Sequence, residues 1–300
     1  VTEDAVSGLA ALGDEIRLGE MLVGEMDEVR ILGFALSAGD VVHLLKDRIL
    51  PFYVAAPADG LLAVLGQDLV NPPDPLPFGT DCPPGQVMLN PFATDELLVA
   101  CGTLDEEPIV RISAVSYKFL GAFSSGAQGV QVAGLLALPT GVVLVSDRTA
   151  GRVATLAADG TMATDFLAGL SDVGTLAYCA GLVYVGVNNG GDWAIERYAT
   201  DGTLVDTLAT HPSGRPVQIS CDVTSYRVAI AYAWGSIDGE VLVYDRRYTD
   251  DIVPGSLVYD AAVDAPNESP TGVAFTSSGD YMTLVRGDGS LAVYSSSTLM

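Results

Sequence analysis

The chain has 300 residues and a formal net charge of −24, from 14 Lys+Arg against 38 Asp+Glu. That balance excludes a nucleic-acid-binding surface, which must meet a phosphate backbone with clustered cations. Hydrophobic residues make up 49% and charged residues 17%, which excludes intrinsic disorder, and no segment reaches the roughly 18 apolar residues of a membrane-spanning helix.

Residues 1–15 read as an acidic N-terminal arm, with Asp4 placed to cap a short helix over Asp4–Leu12. The acidic start has the wrong sign for a secretory signal. Four scattered cysteines (Cys82, Cys101, Cys179, Cys221) are too few for a disulfide framework, so a reducing interior, cytoplasmic or that of a virion assembled there, is expected. From residue 16 onward the chain reads as one domain. Ile16–Gly24 is a spare strand-like run, and two weaker repeat copies follow at about 29–66 and 86–124.

The repeat becomes clear from residue 129. Val130–Leu136, Val142–Val145, Gly151–Leu156 and Thr161–Leu167 are four short strands separated by Pro/Gly/Asp turns. The same grammar recurs over Gly174–Tyr178, Leu182–Val187, Trp193–Tyr198 and Thr203–Leu208, placing Asp159-Gly160 and Asp201-Gly202 42 residues apart. A third copy spans Val217–Val223, Val228–Trp234, Glu240–Tyr244 and Ser256–Tyr259. The last has three strands, Gly272–Phe275, Tyr281–Arg286 and Ser290–Tyr294. Four-stranded units that cannot bury their faces alone, repeated at this period, predict an all-β, six-bladed β-propeller, with seven blades as an alternative count. Pairing Ile16–Gly24 with the three-stranded last copy would close the ring and remove its open edges.

Val143–Asp147, Ala150–Val153, Leu156 and Asp159-Gly160 resemble an NHL/YVTN-type propeller repeat: an apolar strand ending in Asp, a polar loop, an Arg-apolar pair and then Asp-Gly. The next unit keeps Val183–Val187 and Asp201-Gly202 but lacks the Asp and the Arg, and the resemblance covers about half the chain. It implies a propeller fold. The group's activities range from protein-binding scaffolds to lactonases and lyases, so fold does not settle function.

No nucleotide, P-loop, zincin or nucleophile-elbow motif is present. The only histidines are His43, in a strand, and His211, in a polar inter-blade loop. The oxygens expected near the propeller axis are Asn90, Asp222, Gln86, Gln131 and Gln218, a poor set for a hard cation. Asp147, Asp192 and Asp238-Gly239-Glu240 read as loop acids with turn duties. Cys179 and Cys221, also 42 residues apart, fall at one place in successive inner strands and are expected to be reduced and buried, leaving Cys82 as the exposed thiol. Tyr53, Phe78, Tyr117, Trp193, Tyr198, Tyr232 and Trp234 offer stacking faces, most of them in strands.

The expectation is therefore a non-catalytic interaction or structural module with no cofactor, no metal and no catalytic residue. Its partners are proteins of a larger assembly, such as the capsid- or tail-associated parts of a virion, and neither nucleic acid nor an inserted membrane. A metal-dependent lactonase or lyase, or a carbohydrate- or receptor-binding head, is the alternative. The insertions Gly66–Pro84 and Tyr248–Asn267 are long for this repeat. The Pro-rich first one, with Leu76, Pro77 and Phe78, is the predicted contact segment.

Overall fold

β-Branched and aromatic runs punctuated by glycine turns form 22 strands in the computed structural model, which describes residues 52–56, 61–65, 76–77 and most of 84–299. Five blades follow one another. The first is β4 (Pro84–Leu89), β5 (Glu96–Cys101), β6 (Ile109–Ser113) and β7 (Phe119–Ala122). The second is β8 (Val132–Ala137), β9 (Val143–Asp147), β10 (Arg152–Leu156) and β11 (Met162–Leu167). The third is β12 (Asp172–Cys179), β13 (Leu182–Asn188), β14 (Trp193–Tyr198) and β15 (Leu204–His211). The fourth is β16 (Arg215–Cys221), β17 (Arg227–Trp234), β18 (Asp238–Asp245) and β19 (Ser256–Asp260). The fifth has three strands, β20 (Pro270–Phe275), β21 (Tyr281–Arg286) and β22 (Leu291–Ser295).

A smaller sheet, β1 (Phe52–Ala56), β2 (Leu61–Leu65) and β3 (Leu76–Pro77), precedes them and touches β4 through β1. The five blades are one fewer than the six expected. Of the weak first copy expected at about 29–66, β1 and β2 fall within those bounds, paired in register from Phe52↔Leu65 to Ala56↔Leu61, and residues 29–51 lie outside the described residues. Asp4–Leu12 and Ile16–Gly24 lie outside the described residues, as do His43, Phe78, Cys82 and Tyr117.

Every pairing within a blade is antiparallel, and the first strand of each blade packs on the first strand of the next. The core accordingly lies between blades rather than within them. Leu98, Ala100 and Ile109 of the first blade join Val132, Leu135 and Val143 of the second. Tyr184, Ile195 and Leu208 of the third join Ile219, Ile230 and Tyr232 of the fourth. The Asp-Gly turns repeat atom for atom. Gly160 and Gly202 adopt φ of 82° and 86°, and Thr161 and Thr203 each donate a backbone N–H to the preceding Asp, at 3.0 and 2.9 Å.

Each inner strand carries a bulge near its start: between Pro84 and Val87, Val132 and Gly134, Val173 and Leu176, Pro216 and Gln218, and Pro270 and Gly272. Side chains of one inner strand also accept backbone amides of the next inner strand. Gln86 accepts from the Leu135 N–H at 2.9 Å, and Ser220 accepts from the Phe275 N–H at 2.9 Å. Prolines opening an inner strand sit against glycines of the blade before. A Cβ at Gly186 would stand 2.5 Å from Pro216 Cγ. Gly186→Ala should therefore cost about 1–3 kcal/mol by overpacking, read as a thermal midpoint lowered by several degrees.

Candidate functional site

Antiparallel blades have two ends. One end carries the starts of the inner strands and the second-to-third-strand connections, and the other carries the first-to-second and third-to-fourth connections. At the first end, Asp172 opens β12 and Arg215 opens the adjacent β16. Arg148, from the β9–β10 turn, reaches Asp172 with two hydrogen bonds, Nε to Oδ1 at 2.9 Å and Nη2 to Oδ2 at 2.8 Å. The Val173 N–H also donates to Oδ1, at 2.8 Å. Burial pushes the Asp172 carboxyl up, but the bonds and charge of Arg148, with help from Val173 and Arg215, hold it below the usual value of 3.8. Burial lowers the Arg215 pKa, and the Arg148 guanidinium beside it lowers it further.

Next to this group lies a buried histidine. His211 ends β15, and its Nδ1 accepts the Gly214 N–H at 2.6 Å, so Nε2 carries the ring proton and donates to Glu240 Oε1 at 2.8 Å. The ring stacks on Tyr232 and Trp234, at centroid distances of 4.5 and 5.3 Å. His211 thus pins the third blade to the fourth, which corrects its reading as a solvated loop residue. Its ring is enclosed because β15 runs three residues further than expected. Glu240 belongs to β18 and is spent on His211, rather than serving as a loop acid.

The expected axial oxygens do not converge. Asn90 is buried and caps the β4–β5 turn, accepting the Phe92 N–H and donating to Glu96, each at 3.0 Å. Asp222 is fully buried, accepts the Ser225 N–H and pairs with Arg227. Asp147 does the same work, accepting the Ala150 N–H and pairing with Arg152 at 3.1 Å. Both turns read Asp-x-Thr-x-x-Arg-Val, a local signal that marks a cap rather than a ligand. Gln86 is engaged with Leu135 and Leu176, Gln218 lies against Gly272, and Gln131 is exposed. Among the described residues no three His, Cys, Asp or Glu side chains group to hold a metal ion.

Trp193, Tyr198 and Tyr232 are core, and Trp234 is half-buried. Leu76 and Pro77 form β3, paired to Leu62 and Leu61, so part of the expected contact loop is strand. Arg148, Asp172 and Arg215 were missed because the expected first strands of those copies began at Gly174 and Val217. Their signal was available in the 43-residue spacing of Asp172 and Arg215, which matches the repeat.

Cys179 and Cys221 end the adjacent inner strands β12 and β16 and are joined by a disulfide, with Cα atoms 5.9 Å apart. This overturns the expectation of two reduced thiols. Equivalent positions on adjacent inner strands fall within disulfide reach, about 4.4–6.8 Å, because those strands pack closely. Cys101 is also disulfide-bonded.

No family profile and no curated protein sequence matches the chain. Solved structures do. A chain of the nidogen/laminin complex aligns over 83% of this chain and 90% of its own, at 14% identity and a TM-score of 0.61. The Swd1 β-propeller domain of Myceliophteria thermophila aligns over 82% and 79%, at 12% identity and a TM-score of 0.55. These likenesses, with the sheet order, define the class: an all-β chain with the β-propeller fold. Among the described residues no helix is long and apolar enough to cross a membrane.

Peptide mapping without reductant should recover Cys179 joined to Cys221, and Cys179→Ala/Cys221→Ala should lower stability by about 2–4 kcal/mol in urea unfolding. The lowered Asp172 pKa makes a second prediction. Its contribution is present above the unfolded carboxyl value and is lost as pH falls through the lower folded value. Arg148→Ala should therefore flatten the fall in stability below pH about 4, measured as midpoint against pH.

Proposed function

We propose that the chain is a non-catalytic β-propeller that serves as an interaction module of a larger assembly, docking a protein partner through the end that carries the β16–β17 and β18–β19 connections. The observation that carries this reading is an exposed patch of arginine, tyrosine and aliphatic side chains. Tyr226 is 51% exposed, with the guanidinium of Arg247 4.3 Å and that of Arg246 5.3 Å from its ring centroid. Arg247 also lies over Tyr248 at 5.5 Å, and its paired carboxylate Asp245 holds it in place. Ile252 and Val253 follow on the same connection and Leu257 on β19, with Ile252 66% exposed. Tyr and Arg are the residues that anchor protein interfaces, and guanidinia already fixed over the rings lose little freedom on docking.

Part of this patch lies in the Tyr248–Asn267 insertion that the sequence set apart. The fold's use in a chain of the nidogen/laminin complex supports protein binding. Leu76, Pro77 and Phe78 are proposed as a second contact. All three described cysteines are disulfide-bonded, so we place the assembly in an oxidising setting, a cell exterior or a virion surface, rather than in cytoplasm. We propose also that β1–β3 is a sixth blade and that Ile16–Gly24 pairs with β22 to close the ring.

The test is affinity purification of the tagged chain from its native source, beside Tyr226→Ser/Ile252→Asp. The wild type should retain a stoichiometric protein partner, and the variant, with an unchanged melting midpoint, should lose it at least about 10-fold, as hot-spot anchors do. A variant that keeps its partner removes this surface from the interface. Turnover of lactones or esters by the pure chain overturns the non-catalytic reading.

A further inference from the structure

The end that carries Tyr226 differs from the opposite end from the first blade to the fourth. Inner strands run in one direction, since Cys179 and Cys221 end β12 and β16 side by side and Ser220 meets Phe275 where β16 and β20 end. The first-to-second and third-to-fourth connections of the blades therefore share one face. Every large hydrophobic side chain left exposed among the described residues lies in one of these connections or within two residues of one. The first blade gives Phe92, Val115 at 75% exposed and Phe119 at 58%, the second Val142, and the third Leu204 and Val205. Among the described residues the opposite end exposes none. Single exposed hydrophobics are ordinary on any protein surface, but confinement of all of them to one face marks a contact surface.

The charges on this face are not balanced. Four pairs close on themselves, Glu96–Arg111, Asp206–Arg197, Asp222–Arg227 and Asp245–Arg247. Beyond them, the carboxylates of Asp95, Asp159, Asp201, Asp250 and Asp251 make no ion pair among the described residues. Asp159, Asp201 and Asp250 accept from threonines, which leaves their charge in place. Asp280 lies in the β20–β21 connection of the same face. The cations without an ion pair here are Lys118, exposed beside Phe119, and Arg246, stacked on Tyr226. We propose that this face docks one protein whose contact surface is apolar at its centre and carries Lys or Arg opposite these carboxylates, reaching from the first blade to the fourth. The proposal rests on the docking reading above and names the partner's chemistry. Five carboxylates against two cations select a basic surface. A lipid surface is neutral or anionic and offers these carboxylates no net counter-charge. A second copy would bring the same excess of acid.

The partner retained by the wild-type full chain is identified by mass spectrometry, produced alone, and titrated against the wild type and variants at several salt concentrations. Val115→Ser/Phe119→Ser, in the first blade, should raise Kd at least about 10-fold. Asp95→Asn/Asp251→Asn should raise Kd about 2- to 10-fold at low salt and flatten its salt dependence. Gln131→Ala, exposed at the opposite end, should leave Kd unchanged. All three should keep the wild-type melting midpoint, since every altered side chain is exposed. A wild-type Kd in Val115→Ser/Phe119→Ser, beside a loss in Tyr226→Ser/Ile252→Asp, overturns the extended face and leaves the docking reading standing. A wild-type Kd in both, or recovery of no protein partner, overturns both readings. A Kd that Asp95→Asn/Asp251→Asn leaves unchanged at low salt overturns the basic partner. Co-sedimentation with phosphatidylcholine vesicles, or self-association of the pure chain, that Val115→Ser/Phe119→Ser abolishes gives the face to lipid or to a second copy and overturns the proposal.

Discussion

The close approach of inner strands from successive blades is the constraint on which the rest of this molecule depends. It requires glycine where one blade meets the next, as at Gly186 against Pro216 and at Gly134, whose Cβ would stand 2.9 Å from the Leu176 nitrogen. It turns Gln86 and Ser220 into acceptors for backbone amides of the neighbouring blade. The Cys179–Cys221 disulfide is the covalent form of the same proximity.

Two of the polar residues expected near the axis are spent on local turns, and a joint between two blades lies at the end of an outermost strand. Asn90 and Asp222 cap turns, and His211 bridges two blades through Glu240. This accounts for a set of axial oxygens that looked like ligands in the sequence and converge on nothing in the structure. Chemistry is left to the two ends. One presents Arg247, Tyr226 and an aliphatic loop, and the other presents the Arg148–Asp172 ion pair and the His211–Glu240 bond.

The strong acidity of the chain sharpens the contrast between those ends. With 38 acidic residues against 14 basic ones, most arginines are consumed by local pairs such as Asp147–Arg152 and Asp222–Arg227, and these fix turns.

The sequence by itself determined the strands and turns of the repeats from residue 129 onward, because alternating apolar runs and Asp-Gly turns act locally. The two Asp-Gly hairpins, 42 residues apart, came out identical. It did not separate the core aromatics from the others: Trp193, Tyr198 and Tyr232 are buried, whereas Trp234, also in a strand, is half-buried. Only the tertiary structure decided that five blades are defined among the described residues, because the first copies carry weak turn signals. It alone decided that Cys179 and Cys221 are bonded. A 42-residue spacing gives the same place in each blade, but how near two such places come depends on how tightly the blades pack. Likewise Arg148, Asp172 and Arg215 come from a turn and two strand starts, and only the packing of the second, third and fourth blades brings them together.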